Sequence, residues 1–490
     1  MAPRRGSATA QPDDGRKRLA VFCDGTWDDL RMPSLTNVAR LAKCVSAKGW
    51  DGREQIVFYD AGVGVATGVS PLVDRLVSVI GGAIGSGLDE KIENAYRFLV
   101  LNYEPGDEIF VFGFSRGAYT ARSLCGLIRK CGIVRRECFD KIPEAMQIYR
   151  DQTIHPVDVT GFRATFGSRI KGTSLPIATG PEDLSDDARD QWSKRAVLFA
   201  GVPADGPDPK LAAFEMPPPK PPPPEIYRMM YLGLWETVGA LGVPSTFPFA
   251  SRLFNRKYGF HDTRATSLMS SLRHGCALDE DRKAFDVTEI SNVHELNVGW
   301  AKAHGLQVDH PDKTAYVPYG ERPFQQRWFP GNHGSVGSGN IERGLSSGAL
   351  VWIAVGALRA GLKLDWEAGS EVAEAKRLRT PLAPWRINKD GSDQGALAFD
   401  IVGFLTGYKD RRGPMTADEL QWAASERLAK CPDYRPASLE RFTGTRQPTP
   451  PYRILARVLR SVVVVAVLAI AVWLARDPLM ALVCWVQGLR

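Results

Sequence analysis

One serine in this chain stands where its hydroxyl can act as a nucleophile. It is Ser115, in Gly113-Phe114-Ser115-Arg116-Gly117. The apolar run Glu108-Ile-Phe-Val-Phe112 leads directly into it and a helical pattern follows. That is the setting of a strand-to-helix nucleophile elbow. The turn is sharp, so the serine takes an unfavourable backbone conformation. Small residues at Gly113 and Gly117 let neighbouring backbone approach without clash. The helix begins at the serine, and its unpaired N–H groups favour negative charge that develops there. The N–H of Arg116 is the expected oxyanion donor. The plainer alternative is a glycine-containing turn with a helix-capping serine.

A serine hydroxyl needs a base, and the base needs an orienting carboxylate. Among seven histidines, His333 lies in Phe329-Pro-Gly-Asn-His-Gly-Ser-Val-Gly337, a glycine-rich loop after a short strand. From there an imidazole can reach a serine at the top of a sheet. His261, His274, His294, His304 and His310 lack that combination. The carboxylate is expected at a strand end between Ser115 and His333. Glu236, in Leu232-Gly-Leu-Trp-Glu-Thr-Val-Gly239, fits, and Asp262 is the runner-up. Asp24 and Gly25 follow the first strand and face the same end, because ligand sites in parallel sheets lie beyond the strands' C-termini. Gly25 or Thr26 is a candidate second oxyanion donor. Asp24 is expected to hold that loop by hydrogen bonds to backbone.

The elements that must position these residues alternate. Short apolar runs at 18–23, 55–59 and 108–112 read as buried strands. Between and after them, 36–47, 88–103 and 116–131 carry helical periodicity. This order implies an α/β fold of the doubly wound, α/β-hydrolase-like kind, with a mostly parallel sheet covered on both faces. Further on, 227–235 and the segment near 327–329 read as strands, and 264–278 and 342–360 as helices. The expected divisions are a disordered tail at 1–17, a catalytic domain at 18–360, a polar, loop-rich extension at 361–453 and an anchor at 454–490. Residues 136–225 form an irregular insertion, a cap or a linker, that ends in the proline-rich run 216–224.

The anchor rests on Ser461–Ala475, an uncharged run of ~15 residues where a span needs roughly 20. Arg457, Arg460 and Arg476 can snorkel at its ends. Arginines crowd the N-terminal side, at 441, 446, 453, 457 and 460, so a single-pass protein with a cytoplasmic catalytic domain is expected. The net charge of +7 is modest for 490 residues and no Lys/Arg block dominates, which argues against a nucleic-acid partner. The eight cysteines form no Cys-x-x-Cys pair, so a reduced set is expected rather than a zinc site or a disulfide scaffold. The proposed chemistry requires no metal and no organic cofactor.

Several of these motifs occur together in one order. They are Phe22-Cys-Asp-Gly-Thr-Trp27, Tyr59-Asp-Ala-Gly-Val-Gly64, Gly113-Phe-Ser-Arg-Gly-Ala118, Leu234-Trp-Glu-Thr-Val-Gly-Ala-Leu-Gly242, Phe260-His-Asp-Thr263, Ala277-Leu-Asp-Glu-Asp-Arg282 and Trp328-Phe-Pro-Gly-Asn-His333. Over residues 18–360 the chain resembles the α/β-hydrolase family that includes the catalytic domains of type VI secretion phospholipase effectors. The resemblance implies a Ser-Asp-His triad, which falls on Ser115, Glu236 and His333. Two positions depart from the pattern. Glutamate stands where the family usually has aspartate. Gly334-Ser-Val-Gly-Ser338 stands where its loop usually reads Ser-Asp-x-Gly-Gly. The expected function is therefore a membrane-anchored serine hydrolase of acyl esters, with lipid or phospholipid as substrate class. The alternative is a catalytically degenerate, membrane-tethered module that uses the fold to bind a partner.

Overall fold

The computed structural model describes residues 15–25, 34–62, 86–194, 222–239, 263–312, 314–338, 342–367, 369–383, 403, 407–445, 453–459, 461–462 and 465–466. Among these, six strands form one sheet: β1 (Arg18–Cys23), β2 (Gln55–Asp60), β3 (Glu108–Phe114), β4 (Arg228–Trp235), β5 (Leu272–Ala277) and β6 (Phe324–Phe329). Their order is β2-β1-β3-β4-β5-β6, and every neighbouring pair is parallel. The order reverses between β1 and β3, so that is the switch point where a crevice opens beyond the strand ends.

Parallel strands buried on both faces read as continuous apolar runs, and alternate residues feed opposite cores. On one face Leu19, Val21, Cys23, Ile109 and Val111 pack with α2 (Ser86–Asn102) and α3 (Arg116–Cys131). On the other face Ala20, Phe22, Phe110, Phe112 and Phe114 pack with α1 (Asn37–Lys43) and the long buried helix α9 (Gly344–Arg359). Phe22 and Phe112 stack across β1 and β3 with ring centroids 4.5 Å apart. Residues 136–194, which with 222–225 are the described part of the insertion, carry α4 (Ile142–Arg150), α5 (Thr160–Phe166) and α6 (Asp186–Ser193). They pack into the core on the α2 and α3 face, as does α7 (Val293–Ala303). Residues 216–221 of the proline-rich run 216–224 lie outside the described residues.

Three expectations need correction. Residues 264–278 are not a helix. After a turn they form β5, inserted between β4 and β6 with Leu272 paired to Leu232 and Phe324. The spacing of Leu268, Met269, Leu272 and Cys276 imitates a helical stripe. A strand buried on both faces offers no alternation to contradict it. The polar extension is more ordered than its composition implies. It holds α10 (Glu371–Leu378) and α11 (Trp422–Lys430), and a third core cluster joins Leu420, Ala424, Tyr434 and Leu439 to Cys276, Leu278 and Trp328. The single-pass anchor is the third. Among the described residues no helix is long and apolar enough to cross a membrane. The described tail is helical at 453–459, 461–462 and 465–466, and the rest of 460–490 lies outside the described residues.

Candidate active site

Ser115 is the residue between β3 and α3, with φ 56° and ψ −121°. A Cβ on Gly113 would lie 2.4 Å from the Gly117 carbonyl oxygen, and one on Gly117 would lie 2.1 Å from the Cys23 carbonyl oxygen. The elbow therefore closes only with glycine at both places. The Ser115 N–H donates to Trp235 O at 3.0 Å, and Val238 N–H donates to Ser115 O at 3.3 Å, which ties the turn to the end of β4. Glu236 is the residue just past that strand. Its φ is 47°, and Ser338, closing the short helix α8 (His333–Gly337), has φ 70°. These are the three positive-φ non-glycine residues among the described ones. Each such conformation costs roughly 1–3 kcal/mol and persists where surrounding structure over-determines it. Ser115 and Glu236 belong to one site, and Ser338 closes the helix that His333 opens.

That site is a continuous hydrogen-bonded relay. Ser115 Oγ lies 2.9 Å from His333 Nε2, and His333 Nδ1 lies 3.1 Å from Glu236 Oε2. An ionised carboxylate only accepts, so Nδ1 carries the proton and Nε2 is left to accept from the serine hydroxyl. The imidazole is sandwiched between Phe114 and Phe285, at centroid distances of 4.8 and 4.7 Å. Its backbone N–H donates to Glu280 Oε2 at 3.1 Å. Burial pushes the His333 pKa below its ordinary value, against the pull of Glu236 and Glu280. The ring is thus neutral near pH 7. Burial alone would raise Glu236, but Arg411 and His333 outweigh it and hold the carboxyl at about 2. Glu280 is held at about 2 in the same way, burial being outweighed chiefly by Arg282.

The other expected residues fall around this relay. Asp24 is buried and takes three hydrogen bonds, from Thr36 Oγ1 and Tyr59 OH at 2.6 Å each and from the Gly25 N–H at 2.7 Å. Burial, only partly offset by these bonds, raises its pKa to about 6. Asp24 thus links β1 to Tyr59 of β2 and, through Thr36, which caps α1, to that helix. The Gly25 N–H donates to the Asp24 carboxylate. Arg116 opens α3 beside a cleft at the ends of β1 and β2 that Asp24, Asp60, Lys91 and Thr120 also line. Thr26 and Asp262 lie outside the described residues. The spacing Gly-x-Ser-x-Gly recurs at Gly344–Gly348, but it opens α9 with no strand leading in. The altered loop after His333 is ordered by Asn332, whose Oδ1 accepts from the Ser335 N–H at 3.0 Å and from its hydroxyl at 2.9 Å.

Four neighbours were not read from the sequence. Arg411 pairs with Glu236 through both terminal nitrogens, at 2.8 Å each. Glu280 lies within a quoted motif, yet nothing in the motif signals its bond to the His333 backbone. Phe285 and His274 look like ordinary core residues. His274 Nε2 accepts from the Thr237 N–H at 3.2 Å and so braces the turn that bears Glu236.

The fold and the site define a parallel α/β protein with a serine–histidine–carboxylate relay at the end of its central strands. The chain belongs to the family described as "T6SS, Phospholipase effector Tle1-like, catalytic domain", whose sequence pattern matches residues 17–355. An uncharacterized protein of Saccharomyces cerevisiae is 33% identical over 141 residues, which are 27% of this chain and 20% of that protein. A crystal structure of an uncharacterized protein from Pseudomonas aeruginosa aligns at 15% identity and a TM-score of 0.33, over 74% of this chain and 49% of that one. The Tle1 effector bound to the VgrG spike from the type 6 secretion system aligns at 16% identity and a TM-score of 0.28, over 66% of this chain and 51% of that one. The chain thus spans a fifth of the curated relative and about half of each solved chain.

Proposed function

We propose that the chain hydrolyses acyl esters of lipids through an acyl-enzyme on Ser115. The observation that carries this reading is the unbroken relay from Ser115 Oγ through His333 to Glu236. Ser115 Oγ attacks the ester carbonyl carbon while His333 Nε2 takes its proton. The N–H of Arg116, at the start of α3, helps hold the oxyanion of the tetrahedral intermediate. Collapse expels the alcohol, which leaves with the proton from His333. Water then attacks the acyl-enzyme by the same route in reverse roles and releases the acid. Glu236 keeps the imidazole in the tautomer that can accept from serine and stabilises the imidazolium that forms. The lipid class rests on the family, whose description names phospholipase effectors.

The test is turnover of short-chain nitrophenyl esters and of phospholipid vesicles by the full chain, beside Ser115→Ala and His333→Ala. The reading predicts that each substitution lowers kcat by roughly 10⁴-fold or more while the protein stays folded. The preferred substrate separates a phospholipase from a general esterase. A folded wild type that turns over neither substrate would overturn the hydrolase reading and favour a partner-binding role.

A further inference from the structure

Arg411 lies outside every motif that marks the site and beyond residues 17–355, where the family match ends. Its side chain is nonetheless almost fully buried, at 2% exposure, against a Glu236 side chain at 0%. Each Glu236 oxygen is doubly engaged. Oε1 accepts from Ala277 N–H at 2.6 Å and from Arg411 Nη1 at 2.8 Å. Oε2 accepts from Arg411 Nη2 at 2.8 Å and from His333 Nδ1 at 3.1 Å. The same guanidinium donates to Ala277 O at 2.9 Å and to Phe285 O at 2.5 Å. It therefore spans the carboxylate, the end of β5 and the segment whose Phe285 ring covers His333.

The backbone that carries Arg411 is fixed in its turn. Lys283 N–H donates to Gly407 O and Lys409 N–H to Asp281 O, each at 2.8 Å. Arg453 then donates to Asp281 at 2.8 Å and to Asp410 at 2.6 Å. A glutamate side chain has one more rotatable bond than aspartate and more rotamers to lose. A planar, bidentate donor is the partner that removes that freedom, and lysine cannot reproduce the fork.

We infer that Arg411 is a positioning residue for the proposed reaction. It locks the Glu236 carboxylate in the orientation that presents Oε2 to His333 Nδ1, and so makes segment 407–411 part of the working site. The inference rests on the hydrolase reading given above. A second consequence is electrostatic. A carboxylate shared with a guanidinium supports an imidazolium less than a lone carboxylate would. The charged groups facing His333 are Glu236 from the end of β4 and Glu280 from the loop after β5. Arg282 pairs with Glu280 at 2.6 Å. The ring faces are covered by Phe114 and Phe285, and Ser115 lies at the edge. Arg411 acts on the histidine through Glu236.

The experiment compares the full-length wild type with Arg411→Gln and Arg411→Lys by kcat, KM, the pH profile of kcat/KM and thermal unfolding. The His333 imidazole is titrated by NMR in parallel. The expected result for Arg411→Gln is a kcat lower by roughly ten- to a hundredfold, as for loss of an orienting partner at a metal site. KM stays within about threefold, since the substrate does not touch the guanidinium. The acidic limb of the profile and the His333 titration both move to higher pH. Arg411→Lys keeps the charge and recovers only part of kcat. An Arg411→Gln protein with wild-type kcat and an unmoved acidic limb overturns the inference. If that variant does not fold, Arg411→Lys decides, and wild-type kcat and profile in it overturn the inference equally. A folded wild type without ester turnover defeats the hydrolase reading instead. In that case the His333 titration still decides the clamp, which falls if Arg411→Gln leaves it unmoved.

Discussion

Ser115 and Glu236 both hold backbone conformations that L-residues avoid, at φ 56° and 47°. The sheet compels them, through Ser115 N–H to Trp235 O and Glu236 N–H to Gly275 O. Strain kept at a reacting group trades stability for geometry. Glycine adopts that region without penalty, so Ser115→Gly is expected to be more stable than Ser115→Ala by about 1 kcal/mol. Urea unfolding of the two inactive variants measures the difference, and equal midpoints would show that the serine is not strained. Ser115, His333 and Glu236 were legible because each stands at an element end with turn residues around it. Arg411 was not legible. It reaches Glu236 across 175 positions of chain, and its neighbours Lys409, Asp410 and Arg412 resemble any solvated loop. The bond from the Gly25 N–H to the carboxylate beside it, Asp24, was not legible either, because a sequence does not show which acceptor a backbone N–H takes.

Strands β1, β3 and β4 could be recognised because short apolar runs end in glycine, aspartate or serine turns. β5 could not, since Leu268 and Met269 just before it fall at helical spacing with Leu272, and it carries Arg273 and His274 into the interior. Those polar groups are accommodated by partners far away in sequence. His274 Nδ1 bonds Gln326 Oε1 of β6 at 3.0 Å, and its Nε2 bonds Thr237 past β4. Burial, the largest influence, lowers the His274 pKa to about 4. Its folded value is thus below its unfolded value of 6.5, and the unfolded chain takes up the proton first as pH falls. Stability from this residue is complete above pH 6.5 and declines until about pH 4, by up to about 3 kcal/mol. His274→Gln keeps a hydrogen-bonding side chain but does not titrate. Unfolding midpoints taken between pH 7 and 4.5 should fall less steeply in that variant, and parallel slopes would contradict the assignment.

Across the whole molecule the sheet carries a core on each face, and a third cluster joins it to the extension. Leu439 is fully buried there with Trp328, Leu420 and Tyr434. Gln421 N–H donates to Trp328 O at 3.0 Å, which fastens the extension to β6. Composition alone made this region look loop-rich, because its few apolar residues are spread thinly and meet only in three dimensions. Leu439→Ala is expected to destabilise the protein by about 2–5 kcal/mol, as truncation of a buried leucine does. It should shift one unfolding transition; a separate early transition would show that the extension folds apart from the sheet. The same integration brings Arg411 to Glu236, so the relay is a property of the folded whole. The most direct measurement of that relay is covalent labelling of the full-length protein with a fluorophosphonate, with the adduct mapped by peptide mass spectrometry. The account predicts one adduct, on Ser115, absent in Ser115→Ala and formed much more slowly in His333→Ala. A folded wild type that takes no label, or takes it on another serine with Ser115 untouched, would contradict it.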